Sequence, residues 1–410
     1  MASAERPRTV LFVCHYLHHV VGGAEIIAHR IVQFLRAAGW RVETVVLPGP
    51  RPAPADATHP WNLPGRMNPA SLLAKQLAVY AGGVVIDQTA ARAVLPALRG
   101  RAFDIVVAHD TVSGGAASIL ARTLGIPWAC FVYEPLPRAL PNAPGPKGWI
   151  GGMLTRHANR AMRRLLPRAT LRIAASADTG RRLDAFAPGP PTVVAYNSAP
   201  VLETPPPPGE GLLFVGRLSS EKGFDLLCDA YRGLASPPPL NIAALDGPLA
   251  GLARDLSRQH PSVRLLPRTT PEDMPSLYAR HAVVVAPSAW PDPLPGAVLE
   301  ARALQRALLV SDQGGIPEIV QGYRPLRVVP MSAPREQVVQ GLRLALSQAP
   351  GWARLQPDPK EEALFRQRHA PQAHASAILN ALEHAIALAQ RPNPAAPPQG
   401  QAGMIQSGGK

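Results

Sequence analysis

"VLETPPPPGEGLLFVGRLSSEKG" (201–223) decides the fold. Four successive prolines near its start can join neither a helix interior nor a central strand, so the chain before them and the chain after them are read as separate folding units. Directly after the break, "GLLFVGRLS" (211–219) is a short, nearly continuous apolar run, the pattern of a strand buried on both faces. It runs into a polar loop carrying Arg217 and Lys222, then Gly223, then a helical stretch over 224–234. Strand, polar loop and helix make one unit of a parallel sheet, and the unit recurs downstream. "LNIAALD" (240–246), "VRLLP" (263–267), "AVVVAPS" (282–288), "ALLVSD" (307–312) and "LRVVP" (326–330) are its further strands, separated by helical stretches such as 249–259.

The chain ahead of the prolines repeats the scheme. "TVLFVCHY" (9–16), "RVETVVLP" (41–48), "FDIVVAHD" (103–110), "PWACFVYE" (127–134), "LRIAAS" (171–176) and "PTVVAYN" (191–197) read as strands. Between the first two, Ile27, Ile31, Phe34, Leu35 and Ala38 recur at helical spacing and Gly39 is placed to end the helix. The expected class is therefore α/β, with two Rossmann-like, doubly wound domains facing across a cleft. The first spans 1–200 and the second 201–370. An amphipathic helix over 371–390, marked by Ile378, Leu382, Ile386 and Ala389, follows, and 391–410 is too poor in apolar residues to fold.

A chain of 410 residues has ample material for two cores. Its three widely spaced cysteines, Cys14, Cys130 and Cys228, form no disulfide framework and favour a reducing, cytoplasmic setting. The N-terminus lacks the basic stretch of a signal peptide, and no apolar run reaches membrane-spanning length. A net charge of +14 suits an anionic partner, whether nucleotide, phospholipid surface or nucleic acid. Nucleic acid is the least favoured, since no recognised module or aromatic-basic interleaving appears. "KGWIGGMLTRHANRAMRRLLPR" (147–168) could lie on an anionic membrane surface, or be a helix with one buried side and a solvated basic face.

Ligands of doubly wound sheets bind at the carboxyl ends of the strands, so the strand-to-helix loops should hold the chemistry. Four stand out. "GGAE" (22–25) puts Gly22 and Gly23 between a strand and a helix, as a plain tight turn or as a place where backbone approaches a ligand. Arg217 and Lys222 offer a planar fork and a mobile point charge that suit a diphosphate. "PSAWPDPLPGAVLEARAL" (287–304) places Asp292 on a loop and Glu300 in the following helix, with Gly296, Ala297 and Val298 at the helix start, where amides can hold a phosphate. "SDQGGIPEIV" (311–320) adds another Gly-Gly turn. The histidines His15, His18 and His19 lack a distant partner of metal-ligand type, so no metal site is expected and they are read as cleft wall.

In this order, "GGAE", "GRLSSEKG", "PSAWPDPLPGAVLEA" and "GGIPE" resemble the retaining glycosyltransferases of family 4, which have the GT-B architecture. The resemblance implies a nucleotide-sugar donor, a UDP- or GDP-sugar, held mainly by the second domain, and a glycan, lipid-linked or small-molecule acceptor held by the first. It implies no cofactor. Carried over to this chain, Arg217 and Lys222 bind the donor diphosphate and stabilise the leaving nucleotide, and Glu300 holds the ribose hydroxyls. Asp292 stands where the family usually has glutamate in contact with the donor sugar. Gly22 and Gly23 admit the phosphates, and Gly296 to Val298 donate amides. Tyr133, followed by Glu134, occupies the place of a histidine found near the reacting sugar in many members. His109 is either a cleft residue or a structural histidine at a strand end. A non-catalytic GT-B protein that binds a nucleotide sugar or glycan, and a nucleotide-sugar epimerase, are the competing readings.

Overall fold

The computed structural model describes residues 6–14, 23–46, 83–133, 146–200, 205–207, 209–244 and 247–390. Two sheets of six strands carry the fold. The first contains β1 (Thr9–Cys14), β2 (Arg41–Val46), β3 (Ile105–Ala108), β4 (Trp128–Val132), β5 (Leu171–Ala174) and β6 (Thr192–Val194), in the order β2-β1-β3-β4-β5-β6. The second contains β7 (Leu212–Gly216), β8 (Leu240–Ala244), β9 (Val263–Leu265), β10 (Val283–Ala286), β11 (Ala307–Ser311) and β12 (Leu326–Val329), in the order β12-β11-β10-β7-β8-β9. Every neighbouring pair runs parallel. All twelve strands fall within the apolar runs expected from the sequence. Ladder hydrogen bonds select the central residues of each run and leave the flanking polar ones to the loops.

Because side chains alternate across a strand, each sheet divides its apolar residues between two cores. In the first sheet Leu11, Val13, Val106 and Cys130 face one layer with Leu120 and Leu183. Val10, Phe12, Val107 and Phe131 face the other, with Ile31 and Leu35 of the helix Gly23–Ala37 and with Ile378 and Leu382 of the last helix, Pro371–Gln390. In the second sheet Leu212, Phe214, Val283 and Val285 pack against the helices Phe224–Arg232 and Arg335–Ser347. Leu213, Val284 and Leu308 pack against Val298, Leu299 and Ile316. Burying both faces of both sheets is what makes the strands read as continuous apolar runs.

Helix boundaries follow local chemistry. Gly39, at φ +82°, ends the helix Gly23–Ala37 as expected, since only glycine takes that conformation without a Cβ penalty. The basic segment forms the helix Pro146–Leu165, with Thr155, Ala158 and Met162 buried along one side and Arg156, Arg160, Arg163 and Arg164 exposed. Among the described residues no helix is long and apolar enough to cross a membrane. Residues 15–22, which include His15, His18, His19 and Gly22, lie outside the described residues, as do Glu134, most of 201–208 and the tail 391–410.

Candidate functional site

Strand order locates the crevice. In the second sheet consecutive strands spread one way through β8 and β9 and the other way through β10, β11 and β12, so the order reverses between β7 and β10. A doubly wound sheet opens its ligand crevice at such a point, beyond the carboxyl ends of the two strands. Those ends lead into the loops 217–223 and 287–295, which carry Arg217, Lys222 and Asp292.

The two loops lock together. Glu221 O accepts from the N–H groups of Ala289 at 3.0 Å and Trp290 at 3.1 Å. Gly223 lies at φ +66°, and a Cβ there would meet Pro287 O at 1.8 Å, so only a glycine allows the contact. The third loop closes on the same point. Gly314, at φ +59°, has its Cα so near Asp292 that a Cβ would meet Asp292 O at 2.1 Å, and Gly315 N donates to that oxygen at 2.8 Å. Asp292 is thereby fixed by backbone from the loops after β10 and β11.

The side chains brought together differ from the division the sequence suggests. Lys222 Nζ forms an ion pair with Asp292 Oδ2, so the residue expected at the diphosphate and the residue expected at the sugar hold each other. Ser288 Oγ adds a long contact to the same oxygen at 3.4 Å. The pair is largely shielded, with side-chain exposures of 27% and 18%. Arg217 instead points outward, 60% exposed, and bonds Glu221 at 2.9 Å. An exposed pair of this kind contributes at most about 1 kcal/mol and exchanges readily for a stronger anion.

Gly296 opens the helix Gly296–Ala303 and is exposed, with φ not positive and no described residue within 4 Å of an added Cβ. Packing among the described residues therefore gives no reason for a glycine there. Val298 N–H is already engaged by Pro295 O at 3.1 Å, whereas the amides of Gly296 and Ala297, the first two of the helix, have no backbone acceptor among the described residues. Val298 itself is fully buried. Glu300 sits one turn on. Burial raises its carboxyl above the usual range, while the Tyr278 hydroxyl and the charge of Arg30 pull it back. Arg30 belongs to the helix Gly23–Ala37, so the first domain contributes charge to the environment of Glu300.

In the first domain His109 is buried, 4% exposed, with ring centroids 5.7 Å from Phe12 and 5.2 Å from Tyr133. Tyr133 packs against the cores of both domains, and its hydroxyl is buried with no hydrogen-bond partner among the described residues. Burial, then Asp110 and Cys130, push its phenol well above its ordinary pKa. No described residue lies within 4 Å of an added Cβ on Gly23. Among the described residues no group of three or more His, Cys, Asp or Glu side chains could hold a metal ion. Sequence reasoning did not single out Ser288, Tyr278, Arg30 or the locking role of Gly223 and Gly314. Only the glycines left a signal, as loop glycines at strand ends.

Residues 22–199 match the glycosyl transferase 4-like domain, and residues 209–348 match the glycosyl transferases group 1 model. Spore coat protein SA of Bacillus subtilis (strain 168) is 30% identical over 121 residues, 27% of this chain and 32% of that protein, so the match spans about a third of the relative. Sucrose-phosphate synthase from Thermosynechococcus elongatus superposes with a TM-score of 0.63 at 16% identity, covering 93% of this chain and 96% of that one. Anabaena HepE in complex with UDP and glucose gives 0.60 at 17% identity, covering 91% and 99%. These likenesses establish the GT-B fold. With the two domain models matched in series over both sheets, the chain belongs to the group 1 glycosyltransferases, with a glycosyl transferase 4-like first domain.

Proposed function

We propose that the protein transfers a hexosyl group, with retention, from a UDP- or GDP-sugar to a glycan, lipid-linked or small-molecule acceptor. The observation that carries this is the meeting of Lys222, Asp292 and the open start of the helix Gly296–Ala303 where the strand order of the second sheet reverses. A glucose-bearing UDP complex of the similarly folded HepE supports the donor class.

In this reading the incoming diphosphate competes with Asp292 for Lys222 and with Glu221 for Arg217. The cations then face the charge that develops on the leaving phosphate, and the amides of Gly296 and Ala297 add fixed donors. Freed from Lys222, Asp292 turns its carboxylate to the sugar hydroxyls, while Glu300 accepts from the ribose. The acceptor hydroxyl gives its proton to the departing phosphate oxygen on the same face, so no separate base is needed. The protein works in the cytoplasm on a cell-envelope polysaccharide, and the exposed basic face of the helix Pro146–Leu165, with Met153 beside it, rests on anionic lipid. No cofactor or nucleic acid takes part.

Incubation of the purified chain with a panel of labelled nucleotide sugars tests the reading. Turnover of at least one donor is expected. Lys222→Ala should lower kcat by roughly 10²–10³, the loss of one donor at a developing oxyanion. Binding without turnover across the panel would leave the non-catalytic alternative, which Tyr133 in place of a histidine keeps open.

A further inference from the structure

The loop after β11 reaches the first domain through one side chain. Glu318, on the short helix Ile316–Val320, accepts from Ala177 N and Asp178 N, each at 2.8 Å, and from Tyr196 Oη at 2.8 Å. Ala177 and Asp178 are the first two residues of the first-domain helix Ala177–Phe186. A carboxylate there meets free amides and the positive end of the helix dipole. The same helix has a local cap, Ser176 Oγ accepting from Thr179 N at 3.2 Å. Glu318 thus completes an N-terminus that its own domain only partly satisfies.

The residues beside Glu318 touch the donor side. Gly315 N bonds Asp292 O at 2.8 Å, and a Cβ on Gly315 would meet Pro293 O at 2.0 Å and Ser176 Cβ at 3.1 Å. Ile319 O accepts from Arg302 Nε at 2.9 Å, and Arg302 lies on the helix that carries Glu300. The stretch 315–319 therefore contacts the Asp292 loop, the Glu300 helix and the first domain at once. Tyr196 packs against the second-domain core, and its phenol is raised to about 12 by burial and then by Glu318, so it donates at any working pH.

We propose that Glu318 is a positioning residue for glycosyl transfer: its carboxylate, bound to the helix start at Ala177 and Asp178 and to Tyr196, sets Asp292 and the Glu300 helix against the first domain, so that donor and acceptor meet in line. The proposal rests on the function proposed above. It predicts a specific division of kinetic effects, because Arg217, Lys222 and the Gly296 and Ala297 amides all lie on the second domain, whereas the transfer geometry needs both domains.

The full chain carrying Glu318→Ala should lose kcat by roughly 10- to 100-fold, the scale of an ångström of misplacement, with UDP affinity and donor KM changed by less than about threefold. Glu318→Gln keeps one oxygen acceptor and should recover part of the loss, and Tyr196→Phe should cost least. Amide hydrogen exchange at Ala177 and Asp178 should accelerate in Glu318→Ala. Wild-type kcat in Glu318→Ala would overturn the proposal. So would parallel losses of kcat, UDP affinity and melting temperature, the signature of a merely structural residue. If the wild type turns over no donor, the functional reading fails by itself. Exchange at the two amides and small-angle scattering then test the bridge, and unchanged profiles in Glu318→Ala would overturn it.

Discussion

Gly296→Ala separates a glycine kept for packing from one kept for a ligand. Among the described residues an added Cβ at Gly296 meets nothing within 4 Å, and φ is not positive, so alanine fits among them without strain. At such a site the exchange stabilises by about 0.4–1 kcal/mol, chiefly by restricting the unfolded chain. For a domain of this size that raises Tm by about 1–4 °C. In the bound protein the sign reverses. Helical Cα–Cβ bonds tilt toward the N-terminus, so the new methyl projects at the space in front of the Gly296 and Ala297 amides. If a donor phosphate sits there, the overlap costs about 1–3 kcal/mol, or roughly 5- to 150-fold in Kd. Thermal melting and calorimetric titration with UDP read the two effects on one variant. A raised Tm with unchanged UDP affinity would refute phosphate approach at this helix start. A lowered Tm would refute the steric account itself.

Gly223→Ala should do the opposite. With φ +66° and a Cβ directed at Pro287 O, the loops after β7 and β10 must part, at a cost of about 2–5 kcal/mol, and a melt within 1 °C of wild type would contradict the interlock. Acid should weaken the junction between the last two helices, Pro359–His369 and Pro371–Gln390, and residues 197–199. Burial lowers the imidazoles of His369 and His374 from the usual 6.5 to about 4, so between those values the unfolded chain binds more protons and stability falls as pH drops, while above pH 7 these groups contribute no slope. The loss is on the order of 3 kcal/mol for each histidine, read as the difference in urea midpoint between wild type and His374→Gln at pH 7.5 and pH 4.5, and equal differences at both would refute it.

The strands were legible because parallel sheets covered on both faces need long apolar runs, and "TVLFVC" or "VVVA" has no other easy reading. Helix ends were legible where a residue type forces them, as at Gly39. The order of strands was not, because local pattern does not encode which strand lies beside which, and that order is what places the crevice at β7 and β10. The candidate site divides in the same way. Loop identity and residue type marked Lys222, Asp292 and Glu300. Their mutual arrangement did not show, since Lys222 and Asp292 stand 70 positions apart and their pairing depends on the register of two separate strand ends. Glu318 was legible as part of "GGIPE", yet its partners are two backbone amides about 140 positions away, and backbone groups leave no trace in residue type.

Charge was the least specific signal. The excess of 42 basic over 28 acidic residues suggested an anionic partner without saying which cations meet it. Arg172, Arg302 and Arg306 are instead buried, each 1% exposed. Arg302 pairs with Glu362 between the rings of Tyr323 and Phe365, centroids 4.3 and 4.2 Å from its guanidinium carbon. Arg306 bonds the carbonyls of Pro206, Pro207 and Ala279. That contact explains how the proline run which marks the boundary between the two sheets is held. Prolines have no N–H to donate, but each retains a carbonyl, and a guanidinium with several donors in one plane can collect carbonyls that no ladder would satisfy. The residue type that suggested a partner outside the protein therefore serves, at these positions, to satisfy acceptors within it, and the case for an anionic ligand rests on Lys222, Arg217 and the start of the helix Gly296–Ala303 rather than on net charge.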